Sequence, residues 1–387
     1  MIDRRNLLST GMAMGAASLF APTIAFARAA TNKHFVFIIQ RGAADGLGIV
    51  APIGDPAYSG LRGDLATDFA AAPRLDSMFA LHPALAQVNA LYGQKQALFC
   101  HAVASPYRDR SHFDGQNVLE TGGGAPYATR DGWINRMLPL LPASEAKALA
   151  LAATIPPALR GSAEVGSYAP SGLPDAKGEL QQRIAMLYGD DAMLHQMWET
   201  ALQTKAMADA DNSAASVKGA QAGEGIGKLA ASLMQGPQGA RVVMIETNGW
   251  DTHTGQRARL TTQLTALDHT IASLRDGLGT AWQDTLVVVA TEFGRTAAAN
   301  GTGGTDHGTG SMAMLMGGAV AGGRVVTDWP GLGSAQLYEN RDLRPTQSVD
   351  AVIGGALAGH YVLDPAPVMA RLFPGSTARA ASGLISA

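Results

Sequence analysis

The chain has 387 residues, 47% of them hydrophobic, a formal net charge of -3 and a single cysteine. That length and apolar content suffice for one large core or two smaller ones, while the near-neutral charge removes the electrostatic basis for binding nucleic acid or anionic lipid. The lone Cys100 excludes an intramolecular disulfide framework, so burial of apolar surface must hold the fold.

The first element is Asp3-Arg4-Arg5-Asn6-Leu7-Leu8 followed by a weakly apolar run, rich in Ala, Gly and Met, that extends to about Ala27. Small residues at Ala25 and Ala27 predict peptidase cleavage after Ala27, with Ala29 as the alternative. This is the arrangement of a twin-arginine export signal, which makes the mature protein periplasmic or secreted. An N-terminal membrane anchor is the competing reading, because the run is nearly long enough to span a bilayer. Pro22 and the many Gly and Ala residues weigh against it, and no later segment reads as a membrane span. Cleavage removes Asp3, Arg4 and Arg5 and moves the formal charge from -3 to about -4.

The mature chain opens with a strand, His34–Gln40. Further apolar runs predict strands at Ala97–Val103, Ala240–Glu246, Thr285–Thr291 and Ser311–Met316. These runs are nearly continuous rather than alternating, so both faces of the sheet are covered. Helical patterns from Pro83 to Tyr92 and from Arg257 to Leu278 fill gaps between them. The expectation is a single doubly wound α/β domain over residues 28–387, with a largely parallel central sheet and helices on both faces. A helical insertion at about 143–227 breaks the rhythm: a helical pattern from Lys177 to about Met207, then a small-residue tract from Ala208 to Gly227 read as a flexible connector. It reads equally as a lid over an active site and as a cover for one sheet face.

Polar residues collect where the strands end, the place at which such sheets gather their chemistry. Strand one leads into Arg41-Gly42-Ala43-Ala44-Asp45-Gly46, and strand two into Ser105 to Asp114, which includes Arg108, Arg110, Ser111 and His112. The third leads into Gly249-Trp250-Asp251-Thr252-His253 and the fourth into Glu292-Phe293-Gly294-Arg295, while Gly304-Thr305-Asp306-His307-Gly308 precedes the fifth. Carboxylates and imidazoles without thiolates suit zinc first, with Ca, Mg or Mn as alternatives. Asp251, His253 and His307 would satisfy a three-ligand catalytic metal with an open position. Arg41, Arg108, Arg110 and Arg295 would bind a tetrahedral oxyanion through paired hydrogen bonds. His82, His101, His269 and His360 read as packed or surface residues rather than ligands.

Together with Leu81-His82-Pro83, Gly322-Gly323-Arg324-Val325 and Asp328-Trp329-Pro330-Gly331, these motifs resemble a bacterial family catalogued as domain of unknown function 1501, across essentially the whole mature chain. That family is distantly similar to the alkaline phosphatase superfamily, which includes sulfatases and phosphomutases. The resemblance implies an alkaline phosphatase-like fold in which Asp45 is the first acidic ligand, Ser111 the nucleophile, and Asp251, His253 and His307 the holders of the first metal. At strand four Glu292 can replace the usual carboxylate, but Phe293 stands where the superfamily has a second ligand. A two-metal centre then needs His112, Asp114 or Asp306. Cys100 lies in a strand rather than in a Cys-x-Pro-x-Arg motif, which disfavours a formylglycine sulfatase.

The expected function is a metal-assisted hydrolase of phosphate, and secondarily sulfate, esters borne by small molecules or glycans. Ser111 attacks, Arg108 or Arg295 stabilises the equatorial oxygens, and His112 serves as general acid or base. Asp114, Asp306 and Arg41 stand behind the ligands and orient them. Two non-enzymatic readings compete: an exported binding or scaffold protein on a degenerate hydrolase fold, and a structural partner of another exported protein.

Overall fold

The structure, a computed structural model, describes residues 32–142, 147–169, 178–188, 198, 220–236 and 239–386. The expected export signal lies outside them, as does most of the helical pattern from Lys177 to Met207. Among the described residues no helix is long and apolar enough to cross a membrane.

Strand β1 (His34–Gln40) is followed by helix α1 (Gly46–Ile49), strand β2 (Val50–Ala51), helix α2 (Tyr58–Arg62), strand β3 (Ala80–Leu81), helix α3 (Ala86–Gly93) and strand β4 (Ala97–Ala104). Helices α4 (His112–Thr121) and α5 (Trp133–Met137) lead to strands β5 (Ala148–Leu151) and β6 (Val165–Tyr168) and helix α6 (Gly178–Leu187). Then come helix α7 (Ala220–Met234), strand β7 (Val242–Thr247), helix α8 (Gln256–Leu278) and strands β8 (Thr285–Ala290) and β9 (Ser311–Met316). Strands β10 (Arg324–Val326) and β11 (Gln347–Ser348) and helices α9 (Val349–Tyr361) and α10 (Pro365–Leu372) complete the chain.

One mixed, mostly parallel sheet organises these elements in the order β10-β4-β9-β8-β1-β7-β5-β6, with β11 added to β4. Only β9 runs against its neighbours, β4 and β8. Strand β1 shows why it sits centrally. Phe35, Phe37 and Ile39 enter the core on one face, with Trp133 and residues of α9 and α10, while Val36 and Ile38 enter the other, with α3, α7 and α8. Side chains alternate across a strand, so a run that is apolar at every position must have a layer on both sides. Full burial of each such side chain contributes roughly 1.5–3 kcal/mol.

The five expected strands all form. Strands β5 and β6 also join the sheet, beside β7, inside the range read as a helical insertion. Four-residue strands are too short to show a period, which is why the pattern missed them. Ala220 to Gly227, expected in a connector, opens helix α7. A Cβ built at Gly223 would stand 2.0 Å from the carbonyl oxygen of Ala266, and one at Gly227 would stand 2.1 Å from Ser273 Oγ. The small residues let α7 and α8 touch backbone to backbone; they mark a helix contact, not a loop.

Candidate metal centre

The parallel strands β1, β4, β7 and β8 end at one edge of the sheet. Because β9 runs the other way, its N-terminal end lies at that same edge, and the segment before it joins the four loops. An antiparallel bridge between Arg295 and His307 ties the loop after β8 to the approach to β9.

Three imidazoles converge there. His112 opens α4, His253 follows β7 and His307 precedes β9. In each ring Nδ1 faces an acceptor. His112 Nδ1 is 2.9 Å from Glu292 Oε1, His253 Nδ1 is 3.0 Å from Asp306 Oδ1, and His307 Nδ1 is 3.1 Å from the carbonyl oxygen of Arg110. Arg110 turns that carbonyl inward by adopting a φ of 60°, a left-handed conformation that costs a non-glycine residue roughly 1–2 kcal/mol. These partners assign the proton to Nδ1 in all three rings, which leaves each Nε2 with a lone pair.

The lone pairs face one another. Nε2 of His307 is 2.9 Å from Nε2 of His112 and 3.0 Å from Nε2 of His253. Asp251 closes the group: its Oδ1 is 3.0 Å from His253 Nε2 and 3.3 Å from His307 Nε2, and its Oδ2 is 3.5 Å from His112 Nε2. Among the described residues, His112, Asp251 and His307 form a set of potential metal ligands whose atoms all lie within 4.8 Å of one another.

The acceptors gathered around Nε2 of His307 make a candidate site for a cation. A proton added at one Nε2 gives an imidazolium that keeps its Nδ1 bond and satisfies one nitrogen pair, whereas a metal ion would engage several of the lone pairs at once. Imidazole nitrogens with one carboxylate are a zinc-type donor set, and separations of 2.9 to 3.5 Å around His307 and Asp251 bracket the roughly 3.3 Å between ligand atoms of a tetrahedral zinc centre.

The bond to Glu292 raises the His112 pKa above its ordinary value despite burial. Burial, together with the charges of His112 and Arg295, lowers that of His307. Burial would push the Asp251 carboxyl up, but the hydrogen bond and charge of Arg295, whose Nη1 is 2.7 Å from Oδ1, bring it below its ordinary value. The side chains of Asp251 and His253 are 42% and 41% exposed, so the cluster is open to a ligand from that side. Beneath it, Phe293 stacks on the His112 ring at 5.1 Å and tilts against His307 at 5.5 Å.

Residues 32–355 match the family described as Protein of unknown function (DUF1501). The chain belongs to this family. No curated protein is detectably similar in sequence. Solved structures resembling this DUF1501 chain include a protein of the alkaline phosphatase superfamily from Vibrio parahaemolyticus, at 11% identity over 98% of this chain and 80% of that one, with a TM-score of 0.42. The C-terminal periplasmic domain of EcEptC from Escherichia coli, in complex with Zn, is 10% identical over 76% of this chain and 75% of its own, with a TM-score of 0.38. The phosphonate monoester hydrolase of Agrobacterium radiobacter is 11% identical over 76% and 70%, with a TM-score of 0.36.

The other expected site residues of the DUF1501 chain take different places. Asp45 lies outside the cluster: Arg62 Nη1 and Nη2 donate to Oδ2 and Oδ1 at 2.5 and 2.9 Å, and Gln256 Nε2 adds a third bond, so its charge is already neutralised. Glu292, expected as a ligand, stands behind His112. Its Oε1 accepts from Gly42 N–H, Gln116 Nε2 and His112 Nδ1, and its Oε2 lies 2.9 Å from the Thr291 hydroxyl. Burial would raise its pKa, yet these donors hold it below the ordinary value. Asp306 orients His253 rather than His307.

Arg41 is bound by Glu120, Glu246 and Gln116, and Arg110 by Glu339 and Asp342. Arg295 is bound by Asp251 and Thr305. Arg108 differs, for its bonds go to the carbonyl oxygens of Ser105 and Tyr107 in its own loop. Ser111 precedes α4 and its side chain does not cap the helix. Asp114 accepts from the Tyr107 hydroxyl at 3.4 Å. His82, His101 and His360 are buried and His269 is exposed.

Sequence reasoning missed Arg62, Gln116 and Gln256, and read His112 as a general acid or base and as one of three residues that could make up a missing ligand; the structure places it in the cluster. For Gln116 a signal existed: it lies four residues after His112 on a helix, hence on the same face.

Proposed function

We propose that the protein is an exported metal-dependent hydrolase of phosphate esters, with sulfate esters as the second class and small molecules or glycans as the carriers. One observation carries this reading: Nε2 of His112 and of His253 and the Asp251 carboxylate gather around Nε2 of His307 while every Nδ1 is held from behind. Zinc suits this donor set better than Ca, Mg or Mn, which favour oxygen. Bound zinc would supply Lewis acidity and a water of pKa about 7.

The protein's own groups take the remaining roles. Ser111, adjacent to His112 at the open end of α4, is the nucleophile to test. Arg108, whose hydrogen bonds among the described residues go to carbonyl oxygens, is the guanidinium that can turn to equatorial oxygens of a tetrahedral ester. Arg295 holds Asp251, and Asp306 holds His253. Arg4-Arg5 and the apolar run after them support export by the twin-arginine route.

A second reading has a specific observation behind it. Asp45 and Glu292 are spent on internal partners and Phe293 fills the floor, so the cluster supports one metal rather than two. A one-metal relic that binds glycan or an exported protein partner without turnover would look the same.

Turnover of a panel of phosphate and sulfate esters decides between them. The hydrolase reading expects activity that chelation removes, that zinc restores and that falls at least 100-fold in Ser111→Ala. Binding without turnover supports the scaffold, and full activity in Ser111→Ala removes the nucleophile assignment.

A further inference from the structure

Helix α4, which delivers His112, carries Gln116 one turn on and Glu120 two turns on, along one face. Gln116 lies between opposite charges. Its Oε1 accepts from Arg41 Nη1 at 2.9 Å, and its Nε2 donates to Glu292 Oε1 at 3.0 Å. The amide has a single orientation that satisfies both neighbours: turned over, it would set N–H groups against a guanidinium and an oxygen against a carboxylate. Arg41 is in turn fixed by Glu120 at 2.8 Å and by Glu246.

Glu292 is 0% exposed, so protein donors alone set the direction of its carboxylate. Gly42 N–H at 2.8 Å and Gln116 Nε2 at 3.0 Å both bind Oε1, the oxygen that faces His112 Nδ1 at 2.9 Å. Of these two, Gln116 is the side chain, and it links the carboxylate to the anchored Arg41. A glutamate in its place would set like charge against Glu292. A methionine would fill the space and donate nothing.

We propose that Gln116 is a positioning residue for the metal centre: it holds the Glu292 carboxylate against Nδ1 of His112, so that Nε2 of His112 keeps its lone pair for the cation. This rests on the metal reading of the cluster. Partners behind a metal-bound histidine are generally worth 10- to 100-fold in metal affinity.

The test is zinc affinity of the full mature chain, titrated against a chromogenic chelator, in wild type, Gln116→Met, Gln116→Glu and Asn135→Leu. Asn135 makes buried hydrogen bonds to the carbonyl oxygens of Leu159 and Ala163, so its loss is a structural control. Both Gln116 variants are expected to lose roughly 10- to 100-fold in affinity and to shift the visible spectrum of the cobalt-loaded protein, while Asn135→Leu changes neither. If Gln116→Met does not fold, Gln116→Asn, one methylene too short to bridge, carries the same test. Equal zinc affinity in wild type and the Gln116 variants overturns the proposal. If wild type binds no metal, the metal reading fails separately, and nitrogen-15 spectra of the histidine rings in the metal-free protein decide the positioning role. The His112 Nδ1–H signal should be present in wild type and absent in Gln116→Met; its persistence in the variant overturns the proposal.

Discussion

Arg62→Met separates a structural carboxylate from a metal ligand at Asp45. Both side chains of this ion pair are 1% exposed, and the guanidinium donates to both carboxylate oxygens. Removing the cation leaves Asp45 buried, with Gln256 Nε2 as its remaining side-chain donor. Breaking a buried pair from one side costs about 3–5 kcal/mol, a large part of the roughly 5–15 kcal/mol that a domain has in total. Adding Asp45→Asn to Arg62→Met should recover part of that loss, because no unpaired charge is then buried. The assay is urea denaturation of the single and double variants, with zinc affinity measured on Asp45→Asn. Stability should fall in Arg62→Met and partly return in the double variant, while Asp45→Asn keeps its zinc. A stable Arg62→Met, or an Asp45→Asn that loses zinc at unchanged stability, would refute this account of the β1 loop.

Asp350, in the first turn of α9, is buried, and burial raises its carboxyl pKa to about 6. An acid whose folded pKa is raised stabilises the fold fully below its unfolded pKa, near 3.9, and loses that contribution as pH rises through about 6. Above that window the ionised form costs on the order of 3 kcal/mol. Asp350→Asn should therefore raise the melting temperature at pH 7.5 and not at pH 4, and an equal change at both would count against it. Gly223→Val forces a side chain into the carbonyl oxygen of Ala266, so α7 and α8 must separate. A loss of about 1–3 kcal/mol in urea denaturation is expected, and an unchanged midpoint would remove the close helix contact.

The fold was legible because its central strands are apolar at nearly every position, which fixes a sheet covered on both faces. Strands β5 and β6 were not, because four residues show no period, and α7 was not, because Gly223 and Gly227 read as flexibility until Ala266 and Ser273 are seen against them. At the site, Asp251, His253 and His307 were marked by their motifs as strand-end polar residues, and the sheet brings them together.

Motifs do not reveal which carboxylates are already neutralised. Asp45 is paired with an arginine 17 residues away in a helix without a motif, and Glu292 with a histidine 180 residues away. That second pairing sets which His112 nitrogen faces the cluster, which favours the ligand reading of His112 over the acid or base one.

The central claim is that the imidazole cluster holds a metal. Mass spectrometry for metal content, on protein purified after export and compared with a His112→Ala/His307→Ala double variant, tests it most directly. One equivalent of a divalent metal per chain, zinc foremost, is expected in the wild type and none in the variant. Zinc at 100 times its Kd should then stabilise the wild type alone, by about 2.7 kcal/mol. A metal-free wild type whose melting zinc does not change would contradict the account.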